Sequence, residues 1–155
     1  IMLKEKKIRL LESNSELKNS YLEKSKSNLI AAKILLANNR FEESVSLSYY
    51  SMYHSLSALL YLVRIKSENH SASIILFRKL FNNLDLAKII SWAKEERIDK
   101  QYYVETKQII KVTKESCNEM IFKAESFLIK MRVLINELNN EKINSIKENF
   151  NNLFV

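Results

Sequence analysis

Three side chains of this 155-residue chain have the chemistry to exchange protons near neutral pH or to bind a soft metal: His54, His70 and Cys117. A histidine suits proton transfer because its ordinary pKa of about 6.5 allows both protonation states to be populated. Three such residues are too few for a structural zinc site unless carboxylates or a second subunit contribute, so we predict no metal and no cofactor. A single cysteine also excludes an internal disulfide bond.

The sequence around each of these residues indicates a role. His54 lies in the middle of a largely apolar run, where a buried histidine bonded to a tyrosine or a carbonyl is expected. His70 lies at a polar boundary between helices, so it either reaches a ligand or caps the helix that starts at Ser71. Cys117 falls on the apolar seam of a long helix and is expected to be buried.

The chain contains neither glycine nor proline, which restricts its fold and its function together. Tight hairpins and left-handed turns depend on glycine, so a β-sandwich, a barrel or a doubly wound sheet is difficult to build. Phosphate-binding loops and nucleophile elbows need glycine for close backbone approach. The composition therefore excludes a P-loop NTPase, a Rossmann dehydrogenase and an α/β-hydrolase, and it favours an all-helical fold.

The net charge of the chain is +7 and its isoelectric point is about 9.4. This charge favours an anionic partner such as RNA, DNA or a nucleotide, and a lysine-rich surface without such a partner explains it equally well. Nothing near residue 1 resembles a secretion signal, and the apolar stretch from Ser44 to Val63 is interrupted by several serines. We therefore predict a cytoplasmic protein with no membrane-spanning segment.

The spacing of apolar residues predicts the elements that position these side chains. Helical spacing occurs at about 15–38, 40–63, 71–80, 84–96 and 113–138, and residues 141–150 are helical or frayed. The second segment is apolar around most of its circumference, which is typical of the central helix of a bundle. We predict an all-α fold, an antiparallel up-and-down bundle of four main helices with short additional helices.

Domain limits and helix ends follow from the same pattern. Residues 1–14 are an N-terminal extension, 15–140 a helical bundle and 141–155 a C-terminal segment. Asn38 and Asn39 are expected to end the first helix, because asparagine tolerates the left-handed conformation. Ser71 is a candidate cap for the short helix that ends at Leu80, and Thr113 is expected to cap the long helix that follows it.

Several local patterns resemble the HEPN domain family. In the run Asn39–Leu60, small residues precede the pair Tyr49-Tyr50, an aromatic-His pair and an Ala-Leu-Leu end, as in the second helix of HEPN domains. Further matches follow in order at Glu68–Ser71, at Phe77 with Phe81, at Arg97–Tyr102 and at Ala124–Phe127. The resemblance covers about residues 21–138 and implies a HEPN-like helical bundle.

The resemblance also implies a function. HEPN proteins usually dimerise, often occur beside a minimal nucleotidyltransferase in toxin–antitoxin pairs, and in many branches cleave RNA without a metal. Their ribonuclease motif is an arginine followed a few residues later by a histidine. Two places resemble it: Arg64 with His70, and Arg97 with Tyr102, where a tyrosine stands at the histidine position. The catalytic residues implied are His70, Arg97 and Arg64, and the nucleotide- or RNA-binding residues implied are Tyr102, Tyr103 and His54.

Metal-free RNA cleavage requires a base for the 2′-hydroxyl, an acid for the leaving 5′-oxygen and a cation for the charge that develops on phosphorus. Histidine suits the proton transfers, and the permanently charged arginine fork suits the developing charge. Tyr102, with an ordinary pKa of about 10, would be a poor base at neutral pH. A dimer that brings His70 and Arg97 from either subunit to one cleft would assemble the required pair.

Two functions are therefore predicted. The first is an RNA-directed or nucleotide-binding member of a toxin–antitoxin or nucleotidyltransferase pair, with metal-independent endoribonuclease activity. The alternative is a non-catalytic helical dimer that binds a nucleotide or a partner protein. We expect a homodimer, because the central helix is apolar nearly all round and the segment Cys117–Leu138 adds a second apolar stripe.

Overall fold

The computed structural model of the chain describes residues 8–10, 15–101 and 112–154. The described residues form six α-helices and one pair of short β-strands. The helices are α1 (Ser15–Ala37), α2 (Phe41–Leu62), α3 (His70–Phe81), α4 (Leu84–Gln101), α5 (Lys114–Glu137) and α6 (Asn140–Asn152), and the strands are β1 (Ile8–Leu10) and β2 (Ile65–Ser67). This architecture confirms the predicted all-α class.

Helix α2 is the centre of the bundle, with α1, α3, α4 and α5 packed around it. Tyr49, Met52, Leu56 and Leu59 on α2 are fully buried. They pack in one continuous core with side chains from the surrounding helices, among them Phe77 of α3. The apolar circumference of α2 is therefore explained by burial within a single chain.

The contact between α1 and α2 is lined by small hydroxyl side chains. Ser25 Oγ on α1 donates to the carbonyl of Ser51 at 2.6 Å, and Ser44 Oγ on α2 donates to the carbonyl of Ala32 at 2.7 Å. All three serines are buried. Since the chain has no glycine, serine provides the small volume between these helices while its hydroxyl remains hydrogen-bonded.

Two of the predicted helix ends are confirmed. Asn39, two residues after the end of α1, has a φ of 60°, the left-handed conformation that asparagine adopts more easily than most residues. Thr113 caps α5 by accepting a hydrogen bond from the backbone N–H of Ser116, and the Ser116 hydroxyl accepts in turn from the backbone N–H of Thr113. This reciprocal pair is a capping box.

The start of α3 differs from the prediction. Asn69, and not Ser71, is the N-cap: its Oδ1 accepts from the backbone N–H of Ala72 at 2.9 Å. The Ser71 hydroxyl instead accepts from Lys94 Nζ at 2.7 Å. His70 is consequently the first residue of α3, and it does not serve as the cap.

The antiparallel pairing of β1 with β2 was not predicted from the sequence. Ile8 pairs with Ser67 and Leu10 with Ile65. Three-residue strands are too short to show a period of two, and the two segments are far apart along the chain. Helix α4 also continues to Gln101, beyond the predicted end near residue 96, and 141–150 lie within the helix α6. None of the described helices is long and apolar enough to cross a membrane.

Candidate active site

Five side chains from three helices meet at one place, which we call the His70 cluster. Tyr49, Tyr50 and Tyr53 come from α2, His70 from the first turn of α3, and Arg97 from α4. Tyr49 is fully buried, whereas His70 and Arg97 are partly exposed. The cluster therefore has a rigid aromatic floor and two cationic or proton-exchanging groups that solvent can reach.

The ring of His70 is held on two sides. Tyr53 stacks on it with 3.7 Å between ring centroids and 12° between planes. Tyr49 Oη lies 2.8 Å from His70 Nδ1, at hydrogen-bonding distance. Stacking fixes the plane of the imidazole and the hydrogen bond fixes its rotation, so Nε2 is the nitrogen available to a ligand.

The hydrogen bond with Tyr49 also selects the tautomer of His70. Burial raises the pKa of Tyr49 far above its usual range, so its hydroxyl stays protonated. If that hydroxyl donates to Nδ1, both buried polar atoms are satisfied by one bond; the reverse direction would leave the hydroxyl hydrogen needing another acceptor. We therefore assign a neutral His70 with its hydrogen on Nε2.

Arg97 reaches the cluster from α4. Its guanidinium carbon lies 4.8 Å from the centroid of the Tyr50 ring and 5.7 Å from that of Tyr49. Its Nε donates to Ser46 Oγ at 3.3 Å. Cation–π contacts and the bond at Nε orient the planar fork, so its terminal nitrogens are the atoms suited to bind an anion in bidentate geometry.

The surroundings of His70 favour its neutral form. Burial lowers its pKa, and the positive charges of Arg97 and then Lys94 lower it further. A bound phosphate would supply negative charge at the same place and raise the pKa again. His70 is thus neutral in the free protein and becomes a better proton acceptor once an anion is bound.

The structure brings together two of the three predicted catalytic residues within one chain, His70 and Arg97. Arg64 lies after the end of α2 with a φ of 65°, and no contact with His70 or Arg97 is found for it among the described residues. The predicted binding residues Tyr102 and Tyr103 lie outside the described residues. The assignment of catalytic and binding roles remains a prediction.

His54, the third predicted binding residue, lies against the cluster on α2. Its ring packs against Tyr21, Tyr50 and Tyr53 with centroid separations of 5.7, 6.2 and 5.9 Å. Within the described part of the chain, its Nδ1 has no hydrogen-bond partner. The hydrogen bond to a tyrosine or carbonyl expected from the sequence is therefore not found at Nδ1, because the neighbouring groups present ring faces.

This environment predicts acid sensitivity. Burial, followed by the charges of Lys24 and His70, lowers the pKa of His54 from 6.5 to about 4. Between these pH values the unfolded chain binds more protons than the native one, so the contribution to the free energy of unfolding is complete above pH 6.5 and falls toward pH 4. We expect His54→Phe to reduce the loss of Tm between pH 7 and pH 4.5 by about 2–4 °C in thermal melts. An unchanged loss would contradict a buried, neutral His54.

Several residues that build the site were not among the site residues predicted from the sequence. Tyr49 and Tyr50 were noted only as the tyrosine pair of the family pattern, and Tyr53 only as part of its aromatic-His pair. The spacing of Tyr49 and Tyr53, four residues apart on one helix face, is the signal that two tyrosines can contact the same ligand or side chain. Ser46 and Lys94 gave no signal, because a serine and a surface lysine are common on any helix.

The other candidates considered from the sequence were Cys117 and a metal site. Cys117 is buried as expected; burial raises the pKa of its thiol, and a hydrogen bond with Ser44 partly offsets this. A protonated, buried thiol is a poor nucleophile. Among the described residues no group of three or more His, Cys, Asp or Glu side chains could hold a metal ion.

Comparison with known proteins identifies the family of this fold. The family model for the HEPN domain matches residues 19–150, and the chain therefore belongs to the HEPN domain family. The family resemblance inferred from the sequence is confirmed.

Three relatives are similar over most of their length. A Methanocaldococcus jannaschii protein named "Putative toxin MJ0605" is 28% identical over 122 residues, which cover 76% of this chain and 87% of that protein. A Thermotoga maritima protein named "UPF0332 protein" is 30% identical over 112 residues, 69% of this chain and 82% of the relative. The Pyrococcus horikoshii "UPF0332 protein PH1297" is 29% identical over 103 residues, 66% of this chain and 67% of the relative.

Proposed function

We propose that this chain is the toxin member of a toxin–antitoxin pair and that it cleaves RNA without a metal at His70 and Arg97. The observation that carries the proposal is that these two residues meet in one partly exposed cluster of a single chain. Membership of the HEPN family and the name of the archaeal relative support the toxin role.

In the proposed reaction His70 Nε2 moves the proton and Arg97 stabilises the charge. The reaction needs the other neutral tautomer of His70, which forms when Nε2 releases its proton to solvent and Nδ1 takes one up. With the Tyr49 hydroxyl rotated, Nδ1–H then donates to Tyr49 Oη, and the lone pair on Nε2 accepts the proton of the 2′-hydroxyl. The 2′-oxygen then bonds to phosphorus, the bond from phosphorus to the 5′-oxygen breaks, and the imidazolium returns its proton to that oxygen. The Arg97 fork binds the phosphoryl oxygens, where negative charge increases in the transition state.

The experiment is incubation of the purified protein with RNA in the presence of EDTA. Cleavage that persists with the chelator and leaves 2′,3′-cyclic phosphate ends supports the proposal. RNA that stays intact at high protein concentration contradicts it and favours the non-catalytic binding module.

Tyr49 provides a more specific test, because we propose that it positions His70. Tyr49→Phe keeps the ring and removes the bond that stabilises the neutral form at Nδ1, so we expect the pKa of His70 to rise in an NMR titration. Cleavage should fall by about 10- to 100-fold, and the acid limb of its pH profile should shift to higher pH.

Tyr50→Phe is the matched control, since the Tyr50 ring contacts His70 edge-on at a centroid distance of 6.1 Å. It should leave the pKa of His70 nearly unchanged. An equal shift in both variants would show that Tyr49 has no special role in positioning His70.

The predicted partner is a minimal nucleotidyltransferase that acts as the antitoxin, and it remains a proposal. Co-expression of this chain with the product of a neighbouring nucleotidyltransferase reading frame should suppress its toxicity to the host cell. Undiminished toxicity with a soluble partner would contradict this pairing.

The basis for the predicted homodimer changes with the structure. The apolar faces of α2 and of Cys117–Leu138 are largely covered within the chain. Other large apolar side chains on α1 and α5 are exposed: Ile30, Ile34, Phe122, Ile129 and Val133. Charges of both signs line the groove between them: Glu23, Lys26, Lys33, Glu125 and Arg132.

We therefore place the proposed homodimer contact on this face of α1 and α5. A two-fold copy can match apolar with apolar and acid with base there, despite the net charge of +7. We expect a dimer in sedimentation velocity at micromolar concentration and its dissociation in Ile129→Glu. A stable wild-type monomer would contradict the proposal without affecting the His70 cluster, which one chain completes.

A further inference from the structure

A basic groove runs between α3 and α4 and begins beside the His70 cluster. Its volume is about 300 Å³, and three cations, Arg78, Lys88 and Lys94, are among its lining residues. Among the residues described, no carboxylate lines it. The α1–α5 groove, which contains Glu23 and Glu125, does not share this single sign of charge.

The groove is continuous with the candidate active site. Lys94 Nζ bonds to Ser71 Oγ at 2.7 Å, and Ser71 directly follows His70 on α3. Lys94 lies close enough to His70 to affect its charge, and Arg97 is one turn further along α4. The cations of α4 therefore form a path that leads from the far end of the groove to the His70 cluster.

The length of the groove fits a short segment of chain. Ser71 and Arg78 lie near opposite ends of α3, seven residues apart, which is ~10 Å along a helix. Stacked nucleotides rise by ~3.4 Å each along one strand, so this length holds about three nucleotides.

The walls of the groove suit the less polar parts of a nucleotide. Ile74 and Ala87 are buried at its floor, while Ile75 and Leu84 are exposed at its sides. The cations can contact phosphates, while the apolar side chains can pack against bases and sugars. A space of this size between two helices is too narrow for a duplex.

Building on the proposed function, we propose that the α3–α4 groove binds the backbone of single-stranded RNA and directs it to His70, so that the substrate is a polynucleotide rather than a mononucleotide. Lys94 contacts the phosphate next to the cleaved bond, and Lys88 and Arg78 contact phosphates further along the strand. The strand enters from the end of the groove near Leu84.

The test compares two double variants with the same change of charge. Arg78→Ala/Lys88→Ala removes the far end of the groove, and Lys114→Ala/Lys130→Ala removes two exposed cations from α5. Binding is measured by fluorescence anisotropy with a 12-nucleotide 2′-O-methyl RNA, which lacks the attacking hydroxyl, and with a mononucleotide. Cleavage is measured on a 12-nucleotide RNA and on a dinucleotide.

We expect the groove variant to bind the 12-nucleotide strand about tenfold more weakly and to reduce its salt slope by about 1.4, the value for two lost phosphate contacts on a single strand. Mononucleotide binding and dinucleotide cleavage should be unchanged, and the α5 variant should bind the strand almost as the wild type does.

Three results would overturn the proposal: equal weakening in both double variants, equal affinity of the wild type for strand and mononucleotide, or binding of an acidic peptide in the groove with no binding of RNA. Failure of the proposed catalytic function is a different result, because it abolishes cleavage of both substrates while the difference in strand binding persists.

Discussion

His70→Ala and Arg97→Ala are each expected to lower the rate of RNA cleavage by about two to four powers of ten. The first variant removes the group that moves the proton between the 2′- and 5′-oxygens. The second removes the charge that stabilises the transition state, and it also removes the cation stacked on Tyr50. The double variant should lose little more than the worse single variant, because residues that act as one unit are not additive. Single-turnover cleavage of a defined RNA measures each rate.

Arg64→Ala is the matched control for these variants. Arg64 belongs to the first of the two motif-like pairs, but among the described residues no contact with the His70 cluster is found for it. We expect nearly full activity in this variant. Full activity in the His70 and Arg97 variants together with loss in Arg64→Ala would place the site at the end of α2 and contradict the assignment.

The largest expected effect on stability comes from Phe77→Ala. Phe77 is fully buried on α3 and packs in the core with α2. Truncating a buried phenylalanine removes its transfer free energy and leaves a cavity, at a cost of about 3–5 kcal/mol in the free energy of unfolding. Urea denaturation followed by circular dichroism measures this change. Because α3 carries His70 at its start, cleavage should fall in parallel with the folded fraction.

Phe122→Ala is the comparison of the same residue type on the surface, since Phe122 is 73% exposed. At concentrations where the protein is monomeric it should change the free energy of unfolding by less than about 0.5 kcal/mol. A similar loss in both variants would mean that Phe77 is not a core residue of the bundle.

The helices could be predicted because their signals are local. The apolar period of α2, the two asparagines after α1 and the cap at Thr113 lie within a few residues of what they determine. The cap of α3 was assigned to Ser71 because Asn69 and Ser71 are equally good capping residues by type. In the structure Asn69 is the cap, and the Ser71 hydroxyl is bonded to Lys94, which lies 23 residues away.

The site could be predicted only in part, for a similar reason. His70 and Arg97 were selected by their residue types and the family resemblance, but their meeting within one chain depends on the packing of α3 and α4 against α2. Tyr49 lies in the segment predicted as the central helix of the bundle, yet its hydroxyl has its hydrogen-bond partner, His70, 21 residues away. The burial of a tyrosine can be predicted from the sequence more readily than the partner of its hydroxyl.

The serine contacts between α1 and α2 have a consequence for how the molecule transmits force. The interdigitated apolar side chains of two packed helices already oppose sliding of one helix along the other. A one-turn shift of α1 along α2 would also separate the buried hydroxyls of Ser25 and Ser44 from the carbonyl oxygens that they bond. We therefore expect α1 and α2 to move as one rigid unit, so that a displacement of α1 is passed to α2 without a change in their register.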